Sequence, residues 1–177
     1  MKIVFAGTPE FAVKPLTEIV ASGFCVVGVI TQEDKPQGRK GILTAPPVKT
    51  KALELGLPVL QPHRIRDEVE AVKALGGDLL VTCAYGQILT QDVLDAFPMG
   101  VWNIHAGLLP AYRGASPIQS CILSGETETG VSVMKTELGW IAATCCLWRR
   151  RTCFPRKRTA NFPTAFLPFP PPLSSRR

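Results

Sequence analysis

The two histidines of the chain stand in different surroundings. His63 lies in a short polar connection, where we expect it to be exposed and structural. His105 closes an apolar run as part of an Asn-Ile-His sequence. If that run is a β-strand, Asn103 and His105 project from the same face because they are two residues apart. An imidazole can accept or donate a proton, and an amide can donate a hydrogen bond to an oxyanion. Such a pair is more often a hydrogen-bonded structural feature, so the two residues alone leave both interpretations open.

The elements that must position this pair alternate between strands and helices. A strand at 2–6, a helix at 11–20 and a strand at 24–31 fit within the length of a βαβ unit, with Thr8 as the expected helix cap. Further strands are predicted at 59–60, 78–83, 101–105 and 130–138, and helices at 48–55, 66–75, 90–96 and 116–123. Strands that are apolar on both faces and alternate with helices predict a Rossmann-like α/β fold with a mostly parallel sheet. Ligands of such sheets bind at the carboxyl ends of the strands, where Tyr85-Gly86 and Asn103 to His105 would lie.

One connection, residues 32–47, is long, polar and interrupted by glycines and prolines. Its basic residues include Lys35, Arg39 and Lys40. A run of charges is usually only a solvated surface. A long loop inside a compact domain is, however, usually functional.

Composition sets the class of the chain. It has 177 residues, 46% of them hydrophobic, which suits one folded domain. Its net charge of +6 is unevenly distributed: residues 140–177 hold eight of the 20 basic groups and no acid, leaving 12 basic against 14 acidic groups in 1–139. The basic character therefore belongs to the tail. We expect no membrane span, no secretory signal and a cytoplasmic location. We also expect no metal site, because the spacing of the tail cysteines does not resemble that of zinc ligands.

Four segments resemble one enzyme family. They are residues 5–12 (Phe-Ala-Gly-Thr-Pro-Glu-Phe-Ala), 34–39 (Asp-Lys-Pro-Gln-Gly-Arg), 84–89 (Ala-Tyr-Gly-Gln-Ile-Leu) and 103–119 (Asn-Ile-His-Ala-Gly-Leu-Leu-Pro-Ala-Tyr-Arg-Gly-Ala-Ser-Pro-Ile-Gln). In this order they look like the methionyl-tRNA formyltransferases. The last segment by itself resembles the wider folate-dependent formyltransferase superfamily. The first two narrow the resemblance to the enzymes that act on initiator tRNA.

The resemblance implies transfer of a formyl group from 10-formyltetrahydrofolate to the amino group of methionyl initiator tRNA. The family uses an Asn, a His and an Asp, and Asn103 and His105 match the first two. Asparagine would hold the formyl oxygen and histidine would move protons. The expected partners are the initiator tRNA and the folate co-substrate, and the expected state is a monomer.

The resemblance also implies binding roles. Tyr85, Gly86 and Ile88 would form a wall of the pterin pocket, and residues 107–110 and Arg113 would contact the folate. Residues 107–110 are Gly107, Leu108, Leu109 and Pro110, and the first of these is often Ser in the family. Lys35, Arg39 and Lys40 would contact the phosphates and grooves of the tRNA acceptor stem.

The resemblance stops at Gly139. The family continues Gly-Leu-Asp-Thr-Gly-Asp-Met-Leu, and its Asp is the third catalytic residue; Ile141 stands at that position here. Loss of a single base after codon 139 would convert a family sequence into this one. We therefore expect an incomplete formyltransferase domain at 1–139, an out-of-frame and unstructured tail at 140–177, and no C-terminal β-barrel domain. Such a chain would be inactive or weakly active.

Two other interpretations remain open. A formyltransferase acting on a small amine would share the Asn-x-His and Leu-Leu-Pro patterns, but is not expected to have the basic loop at 34–39. A non-catalytic fragment that binds folate or tRNA would fit the missing Asp.

Overall fold

The computed structural model describes residues 1–38 and 40–137, together with the backbone of residues 145–152. The strands are β1 Lys2–Gly7, β2 Cys25–Ile30, β3 Lys35–Gln37, β4 Ile42–Thr44, β5 Val59–Leu60, β6 Leu79–Cys83, β7 Val101–His105, β8 Glu128–Thr136 and β9 Cys145–Thr152. The helices are α1 Glu10–Ala21, α2 Pro47–Glu54, α3 Val69–Ala74, α4 Gln91–Asp95 and α5 Pro117–Leu123, with a 3-10 turn at Ile65–Asp67.

The main sheet confirms the predicted α/β class and its mostly parallel character. Its strand order is β5-β2-β1-β6-β7-β8-β9. The first five strands in this order pair in parallel. β8 and β9 then add antiparallel to β7 and to each other. The order places β1 next to β6, so the carboxyl ends of β1, β6 and β7 lie side by side at one edge of the sheet.

Two apolar clusters cover the sheet. One contains Phe5 and Leu16 and includes residues of α1 and α2. The other contains Val4, Leu80 and Val93 and includes residues of α3 and α4. Neighbouring residues of β1 thus enter opposite clusters, which is why its strand sequence is apolar throughout. No helix in the described part of the chain is long and apolar enough to cross a membrane.

The polar connection at 32–47 is more ordered than the sequence predicted. It contains a two-stranded antiparallel hairpin in which Lys35 pairs with Thr44 and Gln37 with Ile42. Three residues on each side are too few to give a recognisable alternation of polar and apolar residues, so the pattern could not reveal the hairpin.

Two further local features depart from the predictions. α1 begins without a side-chain cap, because the Thr8 hydroxyl donates to the carbonyl of Tyr85 instead. Within the tail, residues 145–152 form β9, which pairs along β8 from Glu128 to Met134. This strand was not predicted. The other tail residues lie outside the described part of the structure.

Candidate active site

Asn103 and His105 lie on one face of β7 at its carboxyl end. Ile104, between them, belongs to the cluster that includes α1, whereas Val101 belongs to the opposite cluster. The alternation along the strand therefore places Val101, Asn103 and His105 on the same face. His105 is buried and Asn103 is half-buried. The sheet thus supplies the shared face that the two-residue spacing predicted.

A neighbouring strand orients the Asn103 amide. Thr82 of β6 is the register partner of Asn103, and its hydroxyl donates to Asn103 Oδ1 at 2.9 Å. This bond orients the amide, whose Nδ2 group is the donor that Asn103 can offer to another acceptor. This is the polarity that a developing oxyanion requires.

A backbone carbonyl holds the His105 ring. The ring atom Nε2 lies 2.9 Å from the carbonyl oxygen of Tyr112. A carbonyl can only accept, so Nε2 carries the hydrogen of this bond. The Tyr112 hydroxyl in turn donates to Glu126, which raises the pKa of Tyr112 and ties down the segment that holds the histidine.

The loop after β7 is fastened by a residue of β8. Ser132, which is fully buried and paired in register with His105, donates its hydroxyl to the Gly107 carbonyl at 2.7 Å. The same oxygen accepts from the Leu109 backbone N–H at 3.1 Å. These two bonds fix the backbone at 107–109. Leu109 is itself buried, Leu108 is half-buried and Pro110 is exposed.

Gly107 packs against the histidine. A Cβ atom at this position would lie 3.1 Å from Pro117 Cβ and 3.2 Å from His105 Nε2. Both separations are tighter than ordinary side-chain contacts. The glycine therefore lets the loop approach the ring more closely than a serine would without adjustment.

We call the segment at 85–88 the folate wall, after the place in the pterin pocket that the family resemblance implies for it. The Tyr85 side chain is buried in the cluster of α3 and α4, and burial raises the pKa of its hydroxyl. Its backbone carbonyl, in contrast, accepts from Thr8 and Gln32. The Ile88 side chain is 87% exposed. A ligand at this wall would therefore meet backbone groups and the Ile88 side chain, not the tyrosine ring.

The hairpin at 35–44 has a fixed base. Asp34 accepts two hydrogen bonds of 2.8 Å from Lys49 Nζ and another of 2.8 Å from Gln61. The Gln61 bond and then Lys49 hold the pKa of the Asp34 carboxyl below its usual value. Lys35 and Lys40 are exposed, and Arg39 lies outside the described residues.

The remaining predicted residues fall outside this arrangement. Arg113 is exposed, next to the residue whose carbonyl holds His105. Ile141, at the position of the family aspartate, lies outside the described residues. His63 is exposed, as predicted, and pairs with Glu33 at 2.9 Å. Within 1–38 and 40–137, no cluster of three His, Cys, Asp or Glu residues could hold a metal ion.

Sequence reasoning missed three residues that shape the site: Thr82, Ser132 and Gln32. Each is a small or neutral polar residue without a distinctive neighbour pattern. Two of them lie within predicted strands, at the carboxyl half of β6 and opposite His105. Only the pairing of β7 with β6 and β8 brings Thr82 beside Asn103 and Ser132 beside His105.

Comparison with known proteins assigns the family. The model of a family described as formyl transferase matches residues 1–139, so the chain belongs to the formyl transferase family. Within it, the chain is 52% identical to a methionyl-tRNA formyltransferase of Ruminiclostridium cellulolyticum over 141 residues, covering 78% of this chain and 45% of that protein. It is 54% identical to a methionyl-tRNA formyltransferase of Listeria monocytogenes over 135 residues, which cover 75% of this chain and 43% of that protein. The chain thus spans about half the length of the curated relatives it matches.

Solved structures agree on the fold. Phosphoribosylglycinamide formyltransferase from Streptococcus pneumoniae superposes with a TM-score of 0.70 at 20% identity, covering 92% of this chain and 88% of that one. A sugar 3N-formyl transferase, WlaRD, superposes with a TM-score of 0.58 at 20% identity, covering 86% of this chain and 52% of that one. At such identities the likeness supports the Rossmann-like formyltransferase fold and nothing finer.

Proposed function

We propose that residues 1–139 carry the formyl-transfer site of an enzyme that formylates methionyl initiator tRNA with 10-formyltetrahydrofolate, in translation initiation. The observation that carries the proposal is the arrangement of Asn103 and His105. They share one face at the carboxyl end of β7, each held by a hydrogen bond, beside a loop fixed by Ser132. The similarity to methionyl-tRNA formyltransferases over these residues supports the choice of substrates.

The hydrogen bonds of Asn103 and His105 support the roles proposed for them. The amine nitrogen of the methionyl group attacks the formyl carbon, which makes the formyl oxygen negative. Asn103 Nδ2 would donate to that oxygen, and the bond from Thr82 to Oδ1 orients the amide for it. The amine loses a proton, and the folate nitrogen gains one when its bond to the formyl carbon breaks. His105 is the proposed carrier of protons between these atoms.

The binding residues are proposed on the same basis. The folate would contact the folate wall through Gly86 and Ile88 and through the backbone next to Tyr85. It would also contact the loop formed by Gly107, Leu108, Leu109 and Pro110, together with Arg113. The tRNA would contact Lys35, Arg39 and Lys40. A monomer in the cytoplasm is the expected state.

We further propose that a shift of reading frame after codon 139 accounts for the tail. The family match ends at residue 139, the position where the resemblance in sequence stops. The shift would remove the catalytic aspartate and place Ile141 in its position. Loss of a group of this kind commonly lowers catalytic rates by about 10²–10⁴-fold, so this chain would be inactive or weakly active.

A small-amine formyltransferase is the second candidate. The solved structures with the same fold include a phosphoribosylglycinamide formyltransferase, so the fold is compatible with a small-amine substrate. The hairpin and its basic residues favour the tRNA substrate. A third possibility, a non-catalytic fragment that binds folate or tRNA, is an outcome of the same experiment.

The experiment is a formylation assay with 10-formyltetrahydrofolate and either charged initiator tRNA or glycinamide ribonucleotide. It compares this chain with a version restored by one base after codon 139. We expect activity on tRNA only in the restored protein, and its loss in the restored variants Asn103→Ala and His105→Ala. Equal rates in the two proteins would contradict the role of the aspartate. Activity on the small amine alone would replace the proposed substrate.

A further inference from the structure

Gln32 connects two parts of the molecule that the proposed function treats as separate binding surfaces. Its side-chain Nε2 donates to the Tyr85 carbonyl at 3.0 Å, in the folate wall. Its Oε1 accepts from Lys35 Nζ at 2.7 Å, at the start of the hairpin. One half-buried amide thus contacts both surfaces.

Gln32 is also well anchored at its backbone. Its carbonyl oxygen accepts from Gln61 Nε2 at 2.8 Å, and the same Gln61 nitrogen donates to Asp34. Asp34 is in turn bonded to Lys49 of α2. Because the backbone is held by the main body of the domain, the side-chain amide is the part of Gln32 that responds to changes at either end.

The contact with the folate wall is close. Thr8 donates to the same Tyr85 carbonyl at 2.8 Å, so that oxygen has two donors. Gly86, which follows, has a φ of +88°, and a Cβ atom there would collide with Gln32 Nε2. The absence of a side chain at Gly86 is what allows the amide to reach Tyr85.

The two bonds of the amide affect each other. An ammonium group that donates to the amide oxygen polarises the amide and makes its N–H a stronger donor. It also restricts rotation of the Gln32 side chain. The hydrogen bond from Lys35 to Gln32 therefore strengthens the hydrogen bond from Gln32 to the Tyr85 carbonyl, which belongs to the folate wall.

We propose that Gln32 is a positioning residue that transmits the state of Lys35 to the folate wall, so that changes at Lys35 alter folate affinity. The inference rests on the proposed function, because it takes the wall to be a folate surface. It goes beyond that function by assigning a role to Gln32 and a second role to Lys35.

The test is a double-mutant cycle in the full 177-residue chain, read by the dissociation constant of the stable probe 5-formyltetrahydrofolate. Gln32→Leu removes both bonds of the amide, and Lys35→Met removes only the one from the ammonium. We expect each to weaken probe binding, Gln32→Leu by about two- to tenfold. The double variant should bind like Gln32→Leu, since Lys35 acts through Gln32. Additive effects, or no effect of Lys35→Met, would overturn the inference.

Two further variants separate this role from general charge or stability effects. Gln32→Glu keeps an acceptor for Lys35 but has no donor for Tyr85, so its affinity for the probe should fall as in Gln32→Leu. Lys51→Met removes a surface lysine of α2 that pairs with Glu54, and should leave probe affinity unchanged. Thermal unfolding of all variants should be similar; a loss of affinity that followed a loss of stability would count against positioning.

A second readout needs no ligand. The backbone amide resonance of Gly86 should shift in Lys35→Met, and Lys35→Met should add no shift in the Gln32→Leu background. If the chain does not bind the probe, the proposed folate site fails and the folate part of this inference fails with it. If the probe binds but Lys35→Met changes neither the Gly86 resonance nor the affinity for the probe, the role assigned to Gln32 is wrong and the proposed folate site stands.

Discussion

The hydroxyl of Ser132 donates to the carbonyl of Gly107 at 2.7 Å and accepts from the N–H of Leu109 at 3.1 Å. One buried side chain of β8 thus satisfies two backbone groups of the loop beside His105. The loop has no regular secondary structure of its own. Its conformation therefore depends on a residue 25 positions away from Gly107 in the sequence.

Replacing Ser132 with alanine should destabilise the domain. The substitution leaves a buried carbonyl and a buried N–H unpaired, and each such group costs about 1–3 kcal/mol. Urea unfolding should show a loss of at least about 2 kcal/mol, by the same reckoning. Ser120→Ala, at an exposed position of α5, is the control and should stay within about 0.5 kcal/mol of the parent. Equal stability of the two variants would contradict the fastening role.

Gly107→Ser restores the residue that the family often has, and Gly107→Ala adds only the Cβ atom. Because that atom would lie 3.1 Å from Pro117 and 3.2 Å from His105, both variants should lose about 1–3 kcal/mol of unfolding free energy through overpacking. The ring resonances of His105 should shift in both. If alanine is tolerated and serine is not, the hydroxyl and not the Cβ atom is responsible.

Asp34 should make stability depend on pH in the acid range. Its pKa in the folded protein is lowered, first by the Gln61 hydrogen bond and then by Lys49. The stabilisation is therefore fully present above the unfolded pKa of about 3.9 and is lost as the pH falls through the folded value. Urea unfolding between pH 2 and 7 should show a smaller acid loss in Asp34→Asn. Lys49→Met should likewise lose less stability in acid than the parent. Identical profiles for parent and Asp34→Asn would exclude the contribution.

β9 can be tested with two adjacent prolines. Along an antiparallel strand, successive N–H groups alternate between the partner strand and the free side. In the regular part of the ladder, one of Arg149→Pro and Arg150→Pro must therefore remove a bond to β8, and the other removes a free N–H. We expect one variant to be less stable in urea by about 1–3 kcal/mol and the other to be closer to the parent. Two variants with parent stability would mean that β9 does not contribute to the sheet's stability.

The sequence by itself determined the type and order of most elements. The apolar runs at β1, β2, β6 and β7 and the helical spacing of α1 are local signals, because burial on both faces or on one stripe leaves a period in the chain. The two-residue spacing of Asn103 and His105 is also local, so their shared face could be predicted once β7 was predicted as a strand.

Tertiary structure alone decided which groups surround that pair. Thr82, Ser132 and the Tyr112 carbonyl reach it through pairing of β7 with β6 and β8 and through the loop's return to the ring. Gln32 meets Tyr85 across 53 residues. Such hydrogen bonds join residues whose separation in the chain carries no period, and a serine or a glutamine is equally compatible with solvent. Their partners follow from the strand order and register, which pack the chain in three dimensions and which no local pattern specifies.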